Sequence, residues 1–170
     1  DKSLEAVILE SIRPIPANLE NVMWEGMGIR ADVPKSYTLE SIGSQNGLME
    51  WNLSDTPKRI LKIQRMALPN YWLKESLFDW LKNEVAKEVD ITNVRDIEFN
   101  GHKAVEIISR QRTALLKRLI GWRNYRVDIA WLCELENRVY RMQHTTSRHA
   151  GKAFIPHDMQ IICCRKDVAV

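Results

Sequence analysis

Hydrophobic and polar positions alternate with a period of two through much of the chain's middle. Met49, Trp51 and Leu53 alternate with Glu50 and Asn52, the signature of a half-buried strand. Gly47 precedes this run, and Ser41 to Asn46 has the composition of a turn joining it to Tyr37-Thr38-Leu39-Glu40. Upstream, Trp24 to Val33 reads as a strand ended by Pro34. Downstream, Arg59 to Leu68 reads as another, entered through Pro57. Four consecutive strands with short links predict an antiparallel meander.

The period then lengthens. Leu73, Leu77, Phe78, Trp80, Leu81, Val85 and Val89 fill about half of a helical wheel, while Glu75, Asp79, Lys82, Asn83 and Lys87 fill the other half. This predicts a helix over 73–89 lying on one face of a sheet, with Asn70 as its cap and Glu84 and Glu88 at its rim. Period two returns at Arg95, Ile97 and Phe99. Asn100-Gly101, a strong short hairpin signal, leads into a strand carrying Val105 and Ile107. A further hairpin is expected from Tyr125 to Leu135 and Arg138 to Thr145, turned at Glu136-Asn137. Ile155, Met159, Ile162 and Cys163 fall at helical spacing behind Pro156, which predicts a terminal helix. At the other end, Leu4, Val7, Ile8 and Ile12 predict a short helix capped by Ser3 and stopped by Pro14 and Pro16. The expected fold class is α+β: a mostly antiparallel sheet flanked by helices, with a lead-in over 1–21 and one domain over 22–170.

Two patterns resemble the PsbP-like superfamily, which takes in the Ran-binding Mog proteins and the DcrB-type bacterial proteins. They are Val33-Pro34-Lys35-Ser36-Tyr37 and Asn100-Gly101-His102-Lys103-Ala104. The late runs Trp131-Leu132-Cys133 and Arg138-Val139-Tyr140 are similar to that superfamily's last hairpin. The resemblance extends from residue 22 to about residue 165 and implies an α/β/α sandwich with an accessory or binding role. It carries over no catalytic residue.

Composition narrows the classes. The 170 residues are 45% hydrophobic and 28% charged, with only 7 Gly and 6 Pro, which excludes a disordered or collagen-like chain. No window approaches the run of about 18 apolar residues that a membrane helix needs. The formal net charge of +3 is small for a general nucleic-acid binder. Three cysteines do not make a disulfide framework, although Cys133 could bridge to Cys163 or to Cys164. The thiol left over points to a reducing, cytoplasmic setting. The chain begins at Asp1 without Met, which keeps export open.

Phosphate-loop, dinucleotide, serine-hydrolase and His-Glu-x-x-His motifs are all missing from the sequence. Chemistry would have to come from scattered residues. Zinc chemistry would draw on Cys133, His144, His149, His157, Cys163 and Cys164. His157 and Cys164 are seven apart, on one face of the expected helix, which makes Cys133, His157 and Cys164 the metal candidates. Against them, no Cys-x-x-Cys is present, and neighbours on a helix diverge by about 100°. Cys163 and Cys164 near a helix C-terminus would also have raised rather than lowered thiol pKa values, which argues against thiol catalysis. An acid–base pair of His102 with Glu106 or Asp128 across a hairpin is the remaining enzymatic option. No cofactor and no metal are expected.

One segment is biased. Residues 110–126 carry Arg110, Arg112, Lys117, Arg118, Arg123 and Arg126 with no acid. Leu115, Leu116, Leu119, Ile120, Trp122 and Tyr125 are interleaved with them. A connection from Thr113 to Trp122 that is both apolar and basic fits three accounts. It could be a flap with snorkelling cations, a protein or self-association interface anchored by Trp122 and Arg123, or a contact with an anionic membrane surface. Nucleic acid fits least. The expected function is a non-enzymatic accessory or binding protein using Leu115, Leu116, Lys117, Arg118, Leu119, Ile120, Trp122 and Arg123. The alternative is a metal-binding or thiol-dependent enzyme built on the C-terminal His/Cys set.

Overall fold

The computed structural model describes residues 13–16, 20–56, 59–111, 124–147 and 159–164. Among these residues, eleven strands form two antiparallel sheets. The large one contains β4 (Thr38–Gln45), β5 (Leu48–Thr56), β6 (Arg59–Ala67), β7 (Val89–Phe99), β8 (His102–Gln111), β9 (Asn124–Cys133) and β10 (Arg138–Ser147). They run in the order β4-β5-β6-β10-β9-β8-β7. The small one holds β1 (Arg13–Pro16), β2 (Asn21–Gly26), β3 (Ile29–Pro34) and β11 (Gln160–Ile161), in the order β1-β2-β3-β11. Two short helices lie between β6 and β7: α1 (Pro69–Trp72) and α2 (Leu77–Ala86). None of the described helices is long and apolar enough to cross a membrane.

Alternation decides which face each strand buries. In β9, Val127, Ile129, Trp131 and Cys133 join one core, together with Trp51, Leu53, Leu61, Ile63, Tyr140 and Met142. Ile29, Ala31 and Val33 of β3, with Met159 and Ile161, close over that face. The opposite parity makes a second core, in which Leu81 and Val85 of α2 pack on Val89, Val105, Ile107 and Ala130. The molecule is therefore sheet on sheet on one side and helix on sheet on the other, the layering expected when both faces of a central sheet are apolar.

The helix face also buries charge. Asp128, fully buried, accepts from Nε and Nη2 of Arg126 at 2.7 and 3.0 Å and from Nε and Nη2 of Arg141 at 3.1 and 2.8 Å. Arg126 also donates through Nη1 to Glu88, whose side chain is mostly in solvent. The rim placement expected for Glu84 and Glu88 agrees with Glu84 being half-buried and Glu88 exposed.

Several expectations are corrected. The protein is not a helix-flanked α+β sandwich, nor the α/β/α sandwich that the PsbP-like resemblance implied. It is mostly β, with two sheets facing each other. Met159 and Ile161 are buried and Gln160 is exposed, so the C-terminal segment there has period two and pairs with β3 through Gln160↔Asp32 and Ile161↔Ala31. The spacing of Ile155, Met159, Ile162 and Cys163 suggested a helix only because a sparse apolar pattern satisfies both periods. Trp24–Val33 is a hairpin, not one strand. Its turn is Met27-Gly28, both at positive φ, and a Cβ on Gly28 would stand 2.9 Å from the Arg65 guanidinium carbon. Ser41–Gln45 continues β4, leaving Asn46-Gly47 as the turn.

The 73–89 helix is shorter than expected. Pro69 opens α1, Ser76 caps α2 by accepting from the Asp79 amide, and Val89 already belongs to β7. Pro14 and Pro16 sit within β1, at the outer edge of the small sheet, where a missing N–H costs no ladder bond. The helix expected before them lies outside the described residues.

Candidate metal centre

Three connections converge at one end of the sandwich. Asn100 (φ 51°) and Gly101 (φ 75°) turn β7 into β8, making His102 the first residue of that strand. The β8–β9 register pairs Ala104 with Trp131, and two further residues along it place His102 opposite Cys133, the last residue of β9. Both side chains face the small sheet. From that sheet, β11 delivers Cys163 and Cys164, separated from its last residue only by Ile162.

The delivery is anchored by polar contacts. Ile162 N–H donates to the Arg30 carbonyl at 2.9 Å, and the Asn100 amide donates to the Ile161 carbonyl at 3.0 Å. The Cys164 amide donates to Glu136 Oε1 at 2.9 Å, while Glu136 Oε2 accepts from the Tyr140 hydroxyl at 2.5 Å. Cys164 itself has φ +56°, a left-handed conformation that costs a non-glycine residue about 1–2 kcal/mol. That kink is what turns two consecutive side chains towards one point. An extended strand would have sent them to opposite faces.

The result is four donor atoms, one each from His102, Cys133, Cys163 and Cys164, all within 4.8 Å of one another. The Cys133 and Cys164 sulfurs are 2.8 Å apart, and Cys163 and Cys164 are 4.0 Å apart. His102 Nε2 lies 3.2 Å from the Cys163 sulfur and 3.3 Å from that of Cys164. A tetrahedral zinc ion has Zn–S of about 2.3 Å and Zn–N of about 2.0–2.1 Å, which sets donor–donor edges of roughly 3.4–3.8 Å. The set has that size, and the Cys133–Cys164 edge needs to open by about 1 Å.

The cluster is dry on the Cys133 side, while Cys163 and Cys164 are half-buried. Cys133 is fully buried beside Trp131, which stacks on Tyr140 at 5.4 Å and packs against Phe99 at 5.1 Å. Trp131 Nε1–H points at the Cys163 sulfur, 3.4 Å away. Such an N–H donor to a thiolate is an outer-shell contact that orients a ligand. Burial pushes the Cys163 thiol up, and pushes Cys164 up to about 12, with the neighbouring sulfurs adding to the effect. Without a cation these thiols therefore hold their protons. A bound divalent ion supplies the charge that deprotonates them.

The other candidates go elsewhere. His144 is buried far along β10 and shares a 2.8 Å hydrogen bond with Tyr37, whose own hydroxyl burial pushes up to about 12. His149 and His157 lie outside the described residues; of the alternative metal candidates, the structure brings Cys133 and Cys164 together, with Cys163 and His102 beside them. The 100° divergence held against Cys163 and Cys164 does not apply, because Cys164 ends an extended segment in a left-handed kink. His102 meets neither expected carboxylate: Glu106 is bonded to Arg95 at 2.5 Å, and Asp128 faces the helix side. Residues 112–123, which contain Leu115, Leu116, Lys117, Arg118, Leu119, Ile120, Trp122 and Arg123, also lie outside the described residues.

Sequence reasoning missed His102 because no spacing motif joins it to cysteines 31 and 61 residues away. Only the strand register brings them together. No protein-family model matches the chain, and no curated protein is recovered as similar to it.

Proposed function

We propose that this chain is a metal-binding protein that holds one zinc-class ion through His102, Cys133, Cys163 and Cys164. One observation carries the proposal: four thiol and imidazole donors from three separate parts of the chain meet within 4.8 Å. A single close cysteine pair would be explained by a disulfide alone. A third sulfur and an imidazole at the same point are explained by a Cys₃His site. Soft thiolates with one imidazole in a tetrahedral set favour zinc over the hard, oxygen-seeking cations.

Four protein donors complete the tetrahedron and leave no open position of the kind zinc catalysis uses. The role is therefore structural: the ion staples the small sheet, through β11, to the ends of β8 and β9. The protein as a whole is a non-enzymatic binding module, and the basic-apolar segment from Thr113 to Trp122 is the part assigned to a protein partner or to a second copy.

Native mass spectrometry of the reduced chain after incubation with zinc tests the metal site. One zinc per chain is expected. Replacing an outer-shell partner in zinc sites costs about 10–100-fold in affinity, so the ligand variants Cys163→Ser and His102→Ala should each lose at least that much. A folded, reduced wild-type chain that takes up no zinc would overturn the proposal.

A further inference from the structure

An open cavity of about 490 Å³ reaches the cluster from solvent. Its walls include the Met27-Gly28 turn, Leu135, Glu136, Ile162 and Cys164. Of the three cysteines, Cys164 alone lines this cavity, while Cys133 is fully buried behind it. Their sulfurs are 2.8 Å apart, against 4.0 Å for Cys163 and Cys164. Cys163 is engaged otherwise, by Trp131 Nε1, whereas His102 lies equally close to Cys163 and Cys164. Cys163 is also the chain neighbour of Cys164, and a disulfide between adjacent residues strains the intervening peptide.

We infer that the centre is a peroxide-responsive modification site in which Cys164 is oxidised first, Cys133 resolves it, and the metal is expelled. The inference rests on the metal-site proposal above. The oxidant is a small hydroperoxide, hydrogen peroxide in the simplest case, which the cavity admits. The Cys164 thiolate sulfur attacks one peroxide oxygen, the O–O bond breaks, and the departing hydroxide is protonated to water. Cys164 is then a sulfenic acid. The Cys133 thiolate attacks that sulfur, the S–S bond forms, and the S–O bond breaks with loss of a second hydroxide, protonated in turn. In sum, two thiolates, one hydrogen peroxide and two protons give one disulfide and two waters. The two electrons pass from sulfur to peroxide.

To reach a bond of about 2.04 Å the sulfurs must approach by about 0.8 Å from their 2.8 Å separation here, and by about 1.8 Å from the opened edge of a metal-loaded site. Stripped of two of four donors, the ion keeps only Cys163 and His102 and leaves as a hydrated cation. Bond and ion are alternative staples for the same joint: each ties the segment after β11 to the end of β9, so oxidation releases metal without freeing that segment.

The test uses the zinc-loaded full chain titrated with hydrogen peroxide. A chromogenic zinc chelator follows release, and non-reducing peptide mapping follows sulfur. Zinc release and disulfide formation should run one to one, the linked peptides should contain Cys133 and Cys164 with Cys163 free, and dithiothreitol plus zinc should restore the loaded form. Zinc retained at several equivalents of peroxide would overturn the inference and leave the metal site standing. So would a bridge involving Cys163, or Cys164 driven to sulfinic acid without a bridge. A reduced chain that binds no zinc at all would remove both.

Discussion

Withdrawing the proposed metal with a chelator, in the presence of a reductant, is expected to lower the thermal midpoint by about 8–16 °C. The size follows from linkage. A ligand present at a thousand times its Kd stabilises the folded chain by about 4 kcal/mol, and a domain of this length shifts by about 2–4 °C per kcal/mol. The loss is also local. β11 contributes only two paired residues to the small sheet, and beyond them the segment is held by the Ile162–Arg30, Asn100–Ile161 and Cys164–Glu136 hydrogen bonds. Such a short strand opens easily unless something clamps its end. Hydrogen exchange should therefore accelerate first at the Ile162 and Cys164 amides. Amides of β5 and β6, in the middle of the large sheet, should hold their protection. A midpoint indifferent to chelation would mean that the ion, if bound, carries no structural load.

On the far side of the large sheet, Asp128→Ala costs about 3–5 kcal/mol, the usual consequence of breaking a buried ion pair by removing one partner. The carboxylate is fully buried and accepts four guanidinium N–H groups. Without it, Arg126 and Arg141, whose side chains are 3% and 10% exposed, face each other with Glu88 as the remaining anion. Total stabilities run about 5–15 kcal/mol, so at least about a fifth is at stake. Urea unfolding should show a lower midpoint at an unchanged slope. The triple replacement Asp128→Leu, Arg126→Met, Arg141→Met separates charge from packing: with no buried charge left unpaired and Glu88 free to face solvent, it should recover most of the loss. An Asp128→Ala variant within 1 kcal/mol of the parent would show that water reaches the arginines.

Which parts of this architecture could be read from residue pattern depends on how many periods each segment satisfies. Met49, Trp51 and Leu53 alternate cleanly and are buried as expected. The Asn100-Gly101 turn and the β9–β10 hairpin followed equally directly, because their turn chemistry leaves little choice. Of the expected four-strand meander, the last three strands pair in sequence as β4-β5-β6, whereas Trp24–Val33 is a hairpin of the small sheet. The helices were over-read. Leu73 and Val89 extended the apolar stripe of α2 at both ends, although tertiary pairing takes Val89 into β7. The C-terminal segment carried too few apolar residues to distinguish period two from period four, and a strand misread there reversed the geometry assigned to Cys163 and Cys164.

The site was half legible. Cys133 and Cys164 stood out as scarce, reactive residue types, but His102 looked like a partner for a carboxylate on its own hairpin. Convergence of His102 and Cys133 depends on register between two non-adjacent turns. Convergence of Cys164 depends on a positive φ that no residue preference announces. These are tertiary facts without a local sequence signal.

X-ray absorption at the zinc K edge of the reduced, zinc-loaded chain tests the central claim most directly. A Cys₃His site predicts three sulfur scatterers at about 2.3 Å and one nitrogen at about 2.0–2.1 Å. A first shell of oxygen and nitrogen alone, the pattern of surface-bound zinc, would contradict it.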